Sequence, residues 1–159
     1  MSLPTEGQVV QIFITPRGGH KMQSVWEVEA VADKGLRGDR YCNGMGQWAG
    51  SDACHVTLID EADLENIEKQ TGLQLANGEH RRNLVIRGMR LDDVLGKQIQ
   101  FGEAIMHAVR PRPPCRYLES LTEPGMLQSL TGLAGVCARV VKSGWIRTQD
   151  AIIVMQAGF

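Results

Sequence analysis

The sequence has none of the features that direct a chain into or across a membrane. Its N-terminal residues, MSLPTEGQVVQIFITPRGG, contain no positively charged opening and no long apolar run, which argues against a signal peptide and against a membrane span. A formal net charge of −1 argues against a broad surface for polyanions or membrane lipids. We therefore expect a cytoplasmic protein with no nucleic-acid and no membrane partner, in which any anion site is local.

Motifs of the common catalytic and cofactor sites are also missing. The sequence contains no GxGxxG, no GxxxxGK(S/T), no HExxH, no CxxC and no local Ser-His-Asp signature, so neither a standard nucleotide loop nor a zinc site is predicted. The widely spaced cysteines are Cys42, Cys54, Cys115 and Cys137. A disulfide scaffold is not expected in a chain of 159 residues, and we predict free thiols, with all but Cys115 packed as small apolar groups.

Short apolar runs separated by Gly, Asp and Asn predict a mainly β protein. The runs, which have strand length, are 9–15, 24–32, 55–59, 83–88, 97–102, 104–109, 135–141 and 151–155. Gly102-Glu103 separates two of them as a tight hairpin turn would. One domain, 1–159, is expected, with residues 1–6 as a disordered leader. Many short strands and few helices indicate a β-barrel-like fold with two or three flanking helices, not a doubly wound α/β sheet.

Two segments have the spacing of helices. Asp60 is placed to cap EADLENIEKQTG, in which Leu64 and Ile67 recur about one turn apart and Gly72 ends the helix. The second segment covers residues 122–130, with a proline near its start and a glycine beyond its end.

The stretch RPRPPCRYLES, residues 110–120, holds a cysteine in a cationic and proline-rich setting. Arg110, Arg112 and Arg116 favour the thiolate of Cys115 over the thiol, and arginine keeps its proton at physiological pH. The flanking prolines fix φ and remove amide donors, so the loop is held open without hydrogen bonds of its own. The alternative is a surface loop in which a single cysteine lies among arginines by chance. The local sequence alone does not favour a functional Cys115 over this alternative.

The stretch HRRNLVIRG places Arg81, Arg82 and Asn83 at the entrance to a predicted strand. Neighbouring arginines in a strand face opposite ways, so only one is expected to point into a given pocket. The planar fork of arginine suits phosphate, and asparagine both donates and accepts at the edge of a heterocycle. A solvated strand end is the alternative, and the local sequence alone favours it.

The stretch GLRGDRY contains two glycines that bracket a turn, with Asp39 between Arg37 and Arg40. A carboxylate in such a turn is a candidate binding group. A turn with a local Asp–Arg pair is the alternative, and without further context it is the stronger of the two.

The order of these stretches resembles the MOSC domain family, the C-terminal domain type of molybdenum-cofactor sulfurases. The resemblance covers about residues 35–154 and rests on GLRGD, on RRN followed by GMRL and LGKQIQFG, on the proline-cysteine pair at 114–115, and on GLAGVCARVV. Each motif alone is weak, and their order and spacing together are specific. The chain is similar to a small stand-alone member without an aminotransferase-like domain.

The resemblance implies a barrel-based fold that binds the molybdenum cofactor (molybdopterin). It implies that Cys115 is the central reactive residue and metal ligand, since the matching cysteine of relatives ligates molybdenum or carries sulfane sulfur. Arg81, Arg82 and Asn83 match the RRN-like motif, and Asp39 matches the Asp of the GD turn. The implied cofactor-binding residues are Arg81, Arg82, Asn83, Asp39, Arg112 and Arg116, and soft thiolate is the matching protein ligand for a metal held by dithiolene sulfurs.

Three functions are compatible with this resemblance. The first is a molybdenum-dependent reductase of N-hydroxylated compounds, which needs an external electron donor, a flavin or iron–sulfur protein, because the sequence has no flavin, haem or iron–sulfur motif. The second is a sulfur carrier that accepts a persulfide on Cys115 from a cysteine desulfurase, for maturation of a metal–sulfur cluster or cofactor. The third is a carrier of the molybdenum cofactor with no turnover.

Overall fold

Eleven strands and one α-helix lie in the part of the chain that the structure, a computed structural model, describes: residues 6–17, 19–40, 42, 54–111 and 135–155. In chain order the elements are β1 (Glu6–Ile14), β2 (Gln23–Val25), β3 (Glu27–Val31), β4 (Gly35–Leu36), β5 (Val56–Asp60), α1 (Glu61–Thr71), β6 (Leu84–Arg87), a 3₁₀ helix (Leu91–Val94), β7 (Gln98–Phe101), β8 (Ala104–Pro111), β9 (Val136–Lys142), β10 (Gly144–Arg147) and β11 (Ala151–Val154).

Seven strands close into a mixed barrel in the order β1, β11, β7, β8, β9, β5, β6 and back to β1. The β5–β6 pair is parallel and the other barrel pairs are antiparallel. β2 adds to β1 outside the closed ring, and β10, β3 and β4 form a separate three-stranded sheet. The prediction of a mainly β, barrel-like fold is confirmed.

The predicted strands are present, and their bounds and number differ from the prediction in several places. The run 24–32 is divided by a bend at Trp26, whose side chain is 64% exposed. β10 lies between the predicted runs 135–141 and 151–155, where the sequence predicts no strand. Of its four residues only Ile146 is fully buried, so the segment has no alternation of apolar and polar residues. β1 begins at Glu6, inside the predicted leader, where Glu6 is paired with Ile153 of β11; residues 1–5 lie outside the described residues.

Adjacent residues of β1 supply two different hydrophobic clusters. Ile12 packs inside the barrel, whereas Phe13 packs outside it against α1, as the alternation of side chains along a strand requires. Leu64 and Ile67 of α1 are 5% and 4% exposed, and burial of each stabilises the fold by about 1.5–3 kcal/mol. The barrel is thus filled by its own side chains and is covered on one outer face by α1.

The helix α1 ends where the sequence predicts, at Gly72, which has φ 75° and donates its N–H to the carbonyl of Glu68 at 2.9 Å. Asp60 occupies the N-cap position but makes no side-chain capping bond. The predicted helix at 122–130 lies outside the described residues. No helix within the described ranges is long and apolar enough to cross a membrane.

The Asp60 carboxylate joins the start of α1 to the 3₁₀ helix. Its Oδ2 accepts the N–H of Leu91 at 3.4 Å and lies 3.5 Å from Nη1 of Arg90, while Oδ1 is buried without a partner among the described residues. Burial raises the pKa of Asp60 from its usual 3.8 to about 6, against the opposing effects of the Leu91 N–H and the Arg90 charge. The folded protein therefore holds this proton more tightly than the unfolded chain does.

Asp60→Asn is expected to remove the part of the fall in the free energy of unfolding that is caused by ionisation of Asp60 as pH rises. In the wild type, the contribution of Asp60 declines as pH rises from about 4 to about 6, because the ionised form is disfavoured by burial in the folded state. Allowing for solvent screening, the variant should be more stable at pH 7 by roughly 1–2 kcal/mol. Urea unfolding of both proteins between pH 4 and pH 8 measures the difference.

Asp63→Asn is the matched control for that measurement. Asp63 accepts two hydrogen bonds from Arg90, at 2.9 and 3.2 Å, so its neutral variant should lose stability at pH 7 instead of gaining it. A wild type and an Asp60→Asn variant with parallel pH profiles would contradict the role given to Asp60.

A disulfide joins Cys54 to Cys137, with Cα atoms 5.1 Å apart. The prediction of free thiols at these two positions is therefore wrong. β5 and β9 are neighbouring antiparallel strands in which Thr57 is opposite Cys137, and this pairing brings together cysteines that are 83 residues apart in sequence. Cys42 is the one free cysteine among the described residues and is half-buried.

Candidate functional site

Most of the buried polar side chains in the described residues meet at one end of the barrel. They come from the end of β1, the turn after β4, the start of β5 and the turn before β6. We call this set the polar cluster; its members are Thr15, Asp39, Arg40, Thr57, His80, Arg81, Arg82 and Asn83. Each is at most 7% exposed, so the cluster depends on internal hydrogen bonds and charge pairing.

Asp39 is fully buried and ties the turn after β4 to the end of β1. Its Oδ1 accepts the backbone N–H of Thr15 at 3.1 Å and Nη1 of Arg40 at 3.1 Å. Arg40 also donates from Nη2 to the carbonyl of Arg81 at 3.1 Å. Arg37, the other arginine of GLRGDRY, is exposed and pairs with Glu29. The structure therefore adds Arg40 to the residues that the sequence singled out, and makes it the link between the GD turn and the RRN triplet.

Arg81 and Arg82 are both buried, and neither lies in a strand, as the expectation that they face opposite ways had assumed. β6 begins only at Leu84, and Arg81 has φ 63°, a left-handed conformation in which strand alternation does not apply. The Arg81 Nη1 donates to the carbonyl of His20 at 2.6 Å. Among the described members, the cluster combines the guanidinium groups of Arg40, Arg81 and Arg82 with the single carboxylate of Asp39.

The Asn83 side chain bridges three strands. Its Oδ1 accepts from the N–H of Thr57 at 3.0 Å and from the Thr57 hydroxyl at 3.1 Å, and its Nδ2 donates to the carbonyl of Phe13 at 3.0 Å. These bonds use three of the four that a carboxamide can make. Asn83 therefore connects β1, β5 and β6 through hydrogen bonds. Its direct contact with a cofactor stays a prediction.

His80 belongs to the cluster although no sequence motif singled it out. Its ring is fully buried, its Nδ1 accepts the N–H of Arg82 at 2.9 Å, and it meets the ring of Phe13 edge to face at 5.5 Å. Burial, and then the charge of Arg82, lower its pKa to about 3. Histidines that bind a metal are recognised in a sequence by their paired spacing, and a lone histidine beside RRN gives no such signal.

A family model of the MOSC domain matches residues 46–153. The chain belongs to the MOSC domain family. This membership confirms the resemblance found in the sequence, and the MOSC domain is associated with binding of the molybdenum cofactor. No curated protein sequence matches the chain.

Solved structures share the fold of this MOSC domain. The YuaD protein from Bacillus subtilis superposes with a TM-score of 0.79 at 15% identity, over 99% of this chain and 100% of that one. YiiM from Geobacillus stearothermophilus gives 0.75 at 20% identity, over 96% and 76%. YiiM from Escherichia coli gives 0.70 at 19% identity, over 95% and 71%. At these identities the likeness shows the fold alone.

Three of the predicted site residues, Arg112, Cys115 and Arg116, lie outside the described residues. The chain on either side of them is described: Pro111 ends β8 opposite Val136 of β9, Val136 is opposite Leu58 of β5, and Leu58 is opposite Leu84 of β6. Val136 is thus two strand spacings, roughly 10 Å, from the residue that follows the RRN triplet.

The return of the chain into β9 depends on a glycine. Gly135 has φ 85°, and a Cβ at this position would collide with the carbonyl oxygen of Leu58. The close approach of the two backbones fixes where the segment 112–134 rejoins the barrel.

No group of three or more His, Cys, Asp or Glu residues arranged to hold a metal ion is found within the described ranges. The chemistry that the described cluster offers is cationic hydrogen-bond donation from buried guanidinium groups, which suits an oxyanion such as a phosphate.

Proposed function

We propose that this MOSC domain binds the molybdenum cofactor, with the phosphate held by arginines of the polar cluster. The observation that carries the proposal is that Arg40, Arg81 and Arg82 are all buried in the polar cluster. Arg40 donates to the carbonyl of Arg81, and the N–H of Arg82 donates to His80. Guanidinium forks suit the phosphate of the cofactor, and Arg112 and Arg116 would add donors to the same anion. The donor set therefore fits a phosphorylated pterin.

Asp39 and Asn83 serve this site mainly by holding other groups in place. The oxygens of both side chains already accept from protein donors, so they orient Arg40 and connect the strands beneath the RRN triplet. We also propose that these two residues contact the pterin directly. Asn83 has one side-chain N–H, on Nδ2, that is not used in the bonds described above.

Cys115 is proposed as the protein ligand of the metal. Arg110, Arg112 and Arg116 stabilise its thiolate, which is the form that binds a soft metal. Cys115 follows Pro111 by four residues, a reach of at most about 14 Å. Pro111 lies three strand spacings from Leu84, roughly the same distance. The topology therefore supports a shared site for Cys115 and the polar cluster.

The activity that we propose is the reduction of N-hydroxylated compounds. A bound molybdenum cofactor supplies a metal that exchanges two electrons. In the overall reaction a hydroxylamine takes up two electrons and two protons, its N–O bond breaks, and an amine and water are released. The electrons come from a flavin protein or an iron–sulfur protein. We propose that this electron donor and the MOSC protein are both in the cytoplasm.

The test is an assay of the purified, cofactor-loaded protein with an aryl hydroxylamine and reduced methyl viologen as artificial electron donor. Amine formation above that of the cofactor-free protein supports the reductase. Bound cofactor without turnover, also with a flavin or iron–sulfur donor, would favour the non-catalytic carrier. A stable gain of one sulfur on Cys115 after incubation with a cysteine desulfurase, seen by mass spectrometry in protein without metal, would favour the sulfur carrier.

A further inference from the structure

A short turn, residues 78–83, connects α1 and its following loop to β6 and contains the RRN triplet. Two hydrogen bonds define this turn: the N–H of Arg81 donates to the carbonyl of Gly78 at 2.9 Å, and the N–H of Arg82 donates to Nδ1 of His80 at 2.9 Å. The second bond spans Arg81, whose φ of 63° is unusual for a residue with a side chain. The His80 ring thus closes the turn around the left-handed residue.

The His80 ring is held in one protonation state and one tautomer. Because Nδ1 accepts a hydrogen bond, the proton of the neutral ring is on Nε2. Burial and the charge of Arg82 lower the pKa of His80 to about 3, so the acceptor at Nδ1 persists throughout the neutral pH range. A charged ring would carry a proton on Nδ1 and would lose the bond to Arg82.

Nothing in the described fold gives this ring a complete set of partners. The Nε2–H is buried, and no described group accepts it; a buried donor in this state is destabilising and calls for an explanation. The other contact of the ring is edge to face with Phe13, a member of the hydrophobic cluster under α1. The ring therefore joins the arginine turn to Phe13 of β1 in the barrel wall, which is a positioning role.

We propose that His80 is a positioning residue for the cofactor-binding arginines: its Nδ1 holds the left-handed turn at Arg81 and so sets the directions of the Arg81 and Arg82 side chains. This inference rests on the proposed cofactor site, and it assigns a role to a residue that the family motif does not include. His80 acts through the two arginines and does not itself contact the cofactor.

The test compares His80→Asn with His80→Leu. The Oδ1 of asparagine can replace Nδ1 as acceptor, whereas leucine is of comparable bulk and has no acceptor. Two quantities are measured: hydrogen exchange of the Arg82 amide by NMR on cofactor-free protein, and pterin per chain after purification from cells that make the cofactor. For His80→Leu we expect exchange about fivefold or more faster, as loss of one hydrogen bond implies, and at least a threefold loss of pterin. His80→Asn should stay within about twofold of wild type in both quantities.

Each outcome decides a separate point. Wild-type pterin content in His80→Leu, or equal losses in the two variants, would overturn the positioning role. If the wild type itself binds no pterin, the proposed function fails, and the exchange of the Arg82 amide still decides whether His80 holds the turn. Should His80→Leu not fold, His80→Gln replaces it, because its acceptor lies one bond further out and should not restore the bond to Arg82.

Discussion

Cys115→Ser is expected to abolish hydroxylamine reduction and to remove most of the molybdenum from the purified protein. Serine has nearly the shape of cysteine, but its hydroxyl is not ionised at neutral pH and is a poor ligand for a soft metal. Loss of a group that merely supports a metal ligand costs about 10–100-fold in affinity, so loss of the ligand itself should cost at least about 100-fold. Elemental analysis of molybdenum per chain, in parallel with the viologen assay, measures both effects.

Cys42→Ser is the matched control, since Cys42 is the one free thiol among the described residues and has no proposed role at the metal. It should keep the molybdenum content and the activity of the wild type. Equal molybdenum in all three proteins would show that Cys115 is not a ligand. Loss of activity in Cys115→Ser with full molybdenum content would instead point to a role in sulfur or proton transfer.

Asn83→Ala is expected to be the most destabilising single substitution proposed for the described part of the barrel. It removes the acceptor of the Thr57 N–H and hydroxyl and the donor to the Phe13 carbonyl. All of these groups are buried, and an unsatisfied buried group costs about 1–3 kcal/mol. We expect the free energy of unfolding to fall by about 3–5 kcal/mol, measured by urea unfolding of the oxidised protein.

Two further variants separate the hydrogen bonds of Asn83 from simple loss of volume. Thr57→Val keeps the side-chain shape and removes the hydroxyl, which donates to Oδ1 of Asn83 and accepts the backbone N–H of Asn83. We therefore expect the free energy of unfolding to fall by a smaller amount, about 1–2 kcal/mol. Asn77→Ala, at an exposed position of the loop before β6, should change stability by less than about 0.5 kcal/mol. A loss below about 1 kcal/mol in Asn83→Ala would mean that the three-strand junction does not hold the barrel together.

The fold was readable from the sequence because each barrel strand carries its own signal. Runs such as NLVIRG and KQIQFG are short, β-branched and bounded by turn residues, and the strands β6 and β7 lie within them. Signals that depend on pairing between distant strands were not readable. The disulfide between Cys54 and Cys137 exists because β5 and β9 are neighbours, and nothing local to either cysteine indicates that neighbour.

The sequence motifs identified residues that lie together in the structure, but not the hydrogen bonds that these residues make. The RRN and GD motifs led to Arg81, Arg82, Asn83 and Asp39, and the structure brings these four into one cluster. Their hydrogen bonds were not predictable, because Asn83 could be read equally as a ligand for a heterocycle or as a bridge between strands. The expectation of opposite-facing arginines assumed strand geometry, which does not apply here because Arg81 precedes β6 and has a positive φ.

His80 and Arg40 belong to the polar cluster, but sequence motifs did not identify them as site residues. Arg40 is one of two arginines near Asp39 in GLRGDR. The Arg40 side chain is buried and that of Arg37 is exposed, and this difference depends on the backbone conformation of the turn. His80 matters through a bond from its ring to a backbone N–H two residues away, an interaction with no residue-type signature. Both residues act by holding the arginine turn in place.

The most direct test of the proposed site is the amount of molybdenum and pterin per chain in three proteins purified from cells that make the cofactor: wild type, Arg82→Gln and Arg37→Gln. Arg82 is buried in the polar cluster, whereas Arg37 is an exposed arginine paired with Glu29. We expect near-stoichiometric molybdenum and pterin in the wild type and in Arg37→Gln, and a loss of about tenfold or more in Arg82→Gln, as expected when a charged hydrogen bond to phosphate is removed. A wild type that carries neither metal nor pterin, or an Arg82→Gln protein that carries as much as the wild type, would contradict the proposed site.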